Sequence, residues 1–138
     1  MIAAQFVPGR GSPGGERGPC TYRAAAGTAW VVREPSPDPG TVLLSATGEF
    51  DVDTVGCLRR ALAEARRGGS RRTVLDISQV GFGDAAFLHE LVTAHFSGHS
   101  FVLAGPIPRQ LRQLFAATGT LRLFTIARDR AVLGLARP

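Results

Sequence analysis

Asp84 is the residue of this chain best placed to do chemistry. It follows the apolar run Thr73-Val74-Leu75-Asp76-Ile77-Ser78-Gln79-Val80, crosses Gly81-Phe82-Gly83, and opens an amphipathic stretch. A carboxylate at such a junction caps a helix by accepting from N–H groups that lack intrahelical partners. The same helix end is the positive pole of the helix dipole and suits a phosphate or a partner's carboxylate. The chemistry implied is binding, because the residues that follow are Ala85, Ala86 and Phe87. Neither methyl group can carry a modification. Glu49 and Asp51 are expected to be exposed beside the same surface, and His89 to point outward from the helix.

The remaining reactive residues form no constellation. His89, His95 and His99 fall close together, but no cysteine or carboxylate completes a metal geometry around them, so no metal and no cofactor are expected. Cys20 and Cys57 have no CxxC partner. A Ser-His-Asp or Cys-His arrangement and a phosphate-binding Walker loop are both missing, and no catalytic residues are predicted. Arg59-Arg60, Arg66-Arg67 and Arg71-Arg72 lack interleaved aromatics, so they read as a solvated face and nucleic-acid binding is not expected. Asp76 is expected to end a strand and hydrogen-bond a nearby loop.

The elements that must position Asp84 follow from periodicity. Ala29 to Val32 and Thr41 to Ala46 read as strands of a hairpin, with Pro35, Pro37 and Pro39 forcing the turn between them. Gly48-Glu49-Phe50-Asp51 reads as a loop, with Asp51 or Asp53 capping the helix that follows. In that helix Val55, Leu58, Leu62 and Ala65 recur at helical spacing, and Gly68-Gly69 ends it. Arg72 to Ile77 is a buried strand, and the helix after Asp84 carries Leu88, Leu91, Val92 and His95 on one stripe. Phe101 to Ala104 is a strand. A helix follows with Leu111, Leu114 and Phe115 inward, then a strand at Phe124 to Ile126 and a helical piece at Ala131 to Leu135. Strands alternating with helices predict an α/β or α+β sandwich with a partly parallel sheet.

A chain of 138 residues with 44% hydrophobic content is one domain that can fold without disulfides or metals. All 16 of its basic residues are Arg, against 11 acidic ones, which reads as the coding bias of a GC-rich genome. Residues 1–27, rich in Gly, Pro and Arg, are expected to be a disordered tail, and residues 28–138 the folded domain. No signal peptide and no membrane span are expected, and the two isolated cysteines fit a reduced, cytoplasmic protein.

In order along the chain, Gly48-Glu49-Phe50-Asp51, then Leu75-Asp76-Ile77-Ser78-Gln79-Val80 leading through Phe82 to Asp84, then Pro106-Ile107-Pro108-Arg109, then Thr118-Gly119 and Leu123-Phe124 resemble the STAS domain family. The resemblance is to its small bacterial anti-sigma-factor antagonists and spans about Thr28 to Ile126. It implies a mixed sheet of four to five strands flanked by helices. It also implies a non-catalytic protein that binds an anti-sigma-factor serine kinase and so frees a sigma factor, as a monomer or weak dimer away from membranes. The implied contact set is Asp84, Ala85, Ala86, Phe87, His89, Glu49 and Asp51.

In the family the kinase phosphorylates a serine directly after the aspartate that matches Asp84. Here that position is Ala85, so phosphorylation there is excluded. The chain also departs from the family in the bulk of Phe87 and in a second helix about one turn short. Two readings follow: an antagonist without phosphorylation control, or an interaction module in another complex, transporter-associated or self-associating.

Overall fold

Alternation along the strands decides which layer each side chain enters. In the computed structural model, which describes residues 20–25 and 27–135, six strands pair in chain order. They are β1 (Cys20–Arg23), β2 (Ala29–Glu34), β3 (Thr41–Phe50), β4 (Arg72–Gly83), β5 (Ser100–Ala104) and β6 (Thr125–Ala127). The first three are antiparallel neighbours, whereas β3 to β6 run parallel. Parallel neighbours need crossovers, and three helices supply them: α1 (Gly56–Arg67), α2 (Ala85–His95) and α3 (Arg109–Thr118).

Leu44, Ala46, Leu75, Ile77 and Leu103 point to the face that these helices cover, meeting Leu58, Leu62, Leu91, Leu111 and Phe115. The intervening Leu43, Val74, Val102 and Ala104 point the other way, where Leu135 covers them.

Three sequence expectations are corrected by the strands. The tail expected to be disordered through residue 27 contains β1, whose Cys20 to Arg23 pair with Arg33 to Trp30 of β2. This adds a sixth strand to the four or five expected. The reason is Tyr22, which is 4% exposed and donates its hydroxyl to Glu64 of α1. An aromatic anchor offsets the chain entropy that the surrounding glycines and prolines would otherwise impose. Residues 1–19 lie outside the described residues.

The loop expected at Gly48 to Phe50 is the end of β3. Gly48 has φ +106°, and a Cβ there would sit 2.1 Å from the Thr28 carbonyl oxygen, so only glycine allows the hairpin to close so tightly. The strand expected to stop at Ile77 continues to Gly83, because its parallel ladder with β3 runs on through two register shifts to Phe50 opposite Gly83.

The far face is fastened by ions as well as by Leu135. Arg130, from the segment after β6, is 13% exposed at its side chain. Its two terminal nitrogens donate to the two carboxylate oxygens of Glu34 at 2.8 and 2.9 Å, while Nε donates to Asp76 Oδ2. These bonds raise the guanidinium pKa, the Glu34 hydrogen bond most and then those to Asp76, against the opposing effect of burial. Asp76 therefore sits mid-strand, tied to the C-terminal segment and to Ser78, rather than ending a strand as expected. Removing one partner of a buried pair strands the other charges. Arg130→Gln is expected to lower unfolding stability by about 3 kcal/mol, read as a drop in the urea midpoint.

Burial first, and then the bond to Glu64, pushes the Tyr22 phenol well above its usual pKa. The unfolded chain ionises its phenol near pH 10 while the fold keeps it protonated. Stability is thus full below about pH 10 and falls as pH climbs through that value. Tyr22 is the chain's one tyrosine, so its phenolate absorbance is expected to rise only together with loss of ellipticity. Tyr22→Phe should reduce the alkaline loss.

Candidate functional site

The parallel strands β3 and β4 end side by side, and the chain turns into α1 after one and α2 after the other. Asp84 sits at that edge in an extended conformation (φ −111°, ψ −162°), its N–H donating to the Phe50 carbonyl at 3.2 Å. Its Oδ1 accepts from the N–H of Ala86 at 2.8 Å and of Phe87 at 3.2 Å, and its carbonyl from Leu88 at 3.0 Å. The cap read from the sequence is therefore present atom by atom, and its charge lies on the positive end of the α2 dipole.

Space beneath the cap is set by glycine. A Cβ on Gly83 would meet Phe87 Cδ2 at 2.5 Å and Leu111 Cδ2 at 2.9 Å. Phe87 fills that space, fully buried, with its ring 5.3 Å from that of Phe50. Gln110, at the start of α3, clamps the same residue from the side. The Gly83 N–H donates to Gln110 Oε1, and Gln110 Nε2 donates back to the Gly83 carbonyl, both at 2.8 Å. Three elements thus meet at one glycine. Gln110 carried no sequence signal, since a lone glutamine in a helix ordinarily faces water.

The residues around the cap differ in exposure. Ala85 and Gly81 are exposed and Ala86 half-buried. In the flanking segments Phe82 is 42% and Val52 75% exposed, two large apolar side chains left open to solvent. Both break the local pattern of polar residues at strand ends, and that was the available signal. Glu49 is exposed and pairs in register with Phe82. His89 is exposed one helical turn beyond Ala85.

The structure places Phe87 and Asp51 of the expected contact set differently from its other members. Phe87 lies wholly inside and cannot touch a partner. Asp51 is half-buried and occupied with its own turn: Oδ1 accepts from the N–H of Asp53 at 2.9 Å and of Thr54 at 3.1 Å. Neither Asp51 nor Asp53 caps α1, whose first residue follows Val55 with no side-chain cap.

The other reactive side chains are used structurally. His95 stacks edge-on against Phe96 and Phe124, at 4.9 and 5.9 Å between centroids. His99 Nε2 lies 3.1 Å from Thr73 Oγ1. The buried Cys57 thiol donates to the Thr54 carbonyl, and burial raises its pKa. Among the described residues no group of His, Cys, Asp and Glu could hold a metal ion, and no helix is long and apolar enough to cross a membrane.

The site is thus an aspartate-capped helix start beside a parallel strand end of a mixed α/β sheet. The family model described as "Mlab, STAS domain" matches residues 35–125, more than half of the chain, and the chain belongs to that family. Its fold is similar to the crystal structure of an anti-sigma factor antagonist from Mycobacterium paratuberculosis. The TM-score is 0.63 with 20% identity, covering 76% of this chain and 93% of that one. It is also similar to the anti-sigma factor antagonist SpoIIAA in its unphosphorylated form, at TM-score 0.56 and 16% identity over 75% of this chain and 96% of that one. The Bacillus cell fate determinant SpoIIAA in its phosphorylated form follows at 0.51 and 15%, over 72% of this chain and 94% of that one. At these identities the likeness shows the fold. A search of curated proteins found no significant match.

Asp84→Ala removes the cap and is expected to lower stability by about 1 kcal/mol. Gly83→Ala forces a methyl into Phe87 and Leu111 and should cost about 1–3 kcal/mol through overpacking. Chemical denaturation of the two variants checks both values.

Proposed function

We propose that this chain is an anti-sigma-factor antagonist that binds an anti-sigma-factor serine kinase through the Asp84 end of α2, without phosphorylation control at that end. The observation that carries the reading is Ala85: exposed, first in its helix, and directly after the capping aspartate. In the resembling antagonists that position is the serine the kinase modifies. A phosphate there brings about −1.5 to −2 charges into a packed interface and drives the partner off. A methyl group cannot be charged in this way, so the binding surface is held permanently in the form that an unmodified serine would give.

The surroundings support binding rather than catalysis. Phe82 and Val52 are exposed apolar side chains in the two segments that flank the cap, and Glu49 is an exposed carboxylate paired in register with Phe82. Apolar residues at the centre with polar groups around them are the usual anatomy of a protein–protein contact. The partner is a protein, met in the cytoplasm, and the chain itself performs no reaction.

A pull-down of the tagged chain from its own cell lysate, with ATP and with ADP, tests this by mass spectrometry. A kinase-fold anti-sigma factor recovered under both nucleotides, with no phosphate on the bait, is the expected result. With that kinase purified, Ala85→Ser should become phosphorylated and then bind at least about tenfold more weakly, as expected for a charge placed in a packed interface. Phe82→Asp should weaken binding without needing ATP. Recovery of transporter subunits or further copies of the bait, with no kinase, would overturn the proposal in favour of an interaction module.

A further inference from the structure

Arg59 and Arg60 are neighbours in sequence and part company in the fold. Arg60 Nη2 donates to the Arg23 carbonyl at 3.2 Å, towards β1. Arg59 meets Glu90 of α2 instead, 31 positions away. Its Nε donates to Glu90 Oε2 at 2.9 Å, and its Nη2 stands 2.9 Å from the same oxygen. The two side chains of this pair differ sharply in access to solvent, Glu90 being 8% exposed and Arg59 61%.

A guanidinium carries five N–H donors in one plane. Glu90 takes the edge formed by Nε and Nη2. The second edge, formed by Nη1 and the outer N–H of Nη2, has no partner among the described residues. The residues three and four positions from Arg59 are Val55, Gly56, Leu62 and Ala63, so α1 itself offers that edge no carboxylate. An exposed arginine ordinarily loses rotamer freedom when it binds. Here a buried carboxylate has already ordered the group, which lowers the cost of a further contact.

The position of that edge follows from α2. Glu90 comes four residues after Ala86, so the two share one side of the helix, about 6 Å apart along its axis. Arg59 is therefore anchored one helical turn from the half-buried Ala86 at the Asp84 end. The exposed positions of α2 are Ala85, His89 and Thr93, on successive turns of one face. None of them is acidic or an arginine, and Glu90, the one carboxylate of the helix, is turned inward.

We infer that Arg59 selects the protein that docks on the Asp84 end of α2: its second edge receives an aspartate or glutamate side chain of that partner, and Glu90 is the positioning residue that holds it ready. This rests on the reading that a kinase binds at that end. Pairing of a guanidinium edge with a carboxylate is bidentate and directional, and lysine cannot reproduce it. Arginines fixed within an interface are among the residues that concentrate its binding energy. Glu49 and Asp53, exposed at the same end of the sheet, repel an acidic segment placed over them, so the partner's carboxylate is accepted at one position.

The test is calorimetric titration of the purified kinase-fold protein recovered with the chain, alongside a urea midpoint for each variant. Arg59→Gln and Glu90→Gln combined in one chain remove both charges of the pair, so neither is left stranded in the fold. This double variant should keep a urea midpoint close to wild type and bind about tenfold more weakly. Arg59→Lys keeps a cation for Glu90 and gives up the second edge; it should also bind more weakly, by a smaller factor, and it decides the matter if the double variant does not fold. Arg60→Gln should bind as wild type. Wild-type affinity in the folded double variant, or in Arg59→Lys, would reduce the pair to a structural contact and overturn the inference. Weakened binding by Phe82→Asp in the same series would then leave the proposed function standing. Dependence on Arg59 that vanishes after phosphatase treatment of the partner would assign the edge to a phosphate and overturn the inference as well. Recovery of no kinase-fold protein would overturn both readings together.

Discussion

The Asp84 end of the molecule depends on the missing side chain of Gly83. With no Cβ there, the Phe87 ring drops to the strand and meets Phe50, and a Leu111 methyl reaches the same place from α3. The Gln110 carboxamide then satisfies both backbone groups of Gly83. A buried strand end would otherwise carry unpaired polar atoms at a cost of about 1–3 kcal/mol each. Close approach and hydrogen-bond closure together fix the direction in which the chain leaves β4. That direction makes Asp84 a cap and Ala85 an exposed first residue of α2. The binding surface is thus positioned by what lies beneath it, and its own side chains contribute little to holding it.

The other face of the sheet is held by a different kind of interaction. Helices cover one side through wide apolar contact, whereas Leu135 and the Arg130 fork cover part of the other. Arg130 ties the C-terminal segment to β2 and β4 at once, joining residues 96 and 54 positions apart. An arginine between two carboxylates specifies one docking geometry where a leucine would accept several. The antiparallel edge is fastened in a similar way, by Tyr22 reaching across to Glu64. Both fastenings are single polar side chains acting over long sequence separations.

That separation explains what could be read in advance. The Asp84 cap, the helices, the hairpin and the buried strand from Arg72 are local patterns, set by residues within a turn or a strand of each other. The resemblance to the STAS family rests on the same local pieces. By contrast, β1 was hidden because its one informative residue, Tyr22, is stabilised by a partner 42 positions away. The continuation of β4 through Gly81 and Gly83 was hidden because glycine is a poor strand former, and the ladder with β3 overrides that preference. Phe87 was assigned to the surface because it follows Asp84 in sequence, although Cβ directions around a helix send it inward while Ala85 points out.

The sequence by itself determined the fold class, the capped helix start and the absence of a hydroxyl at position 85, because each is written in residue identity or short-range periodicity. The tertiary structure decided which of the neighbouring residues form a surface. It buried Phe87, engaged Asp51 in its own turn, left Phe82 and Val52 exposed, and tied Arg59 and Arg60 to neighbouring elements. Those outcomes depend on strand register and on side chains meeting from distant elements. A local pattern states what a residue prefers, and only the packed chain states what it faces.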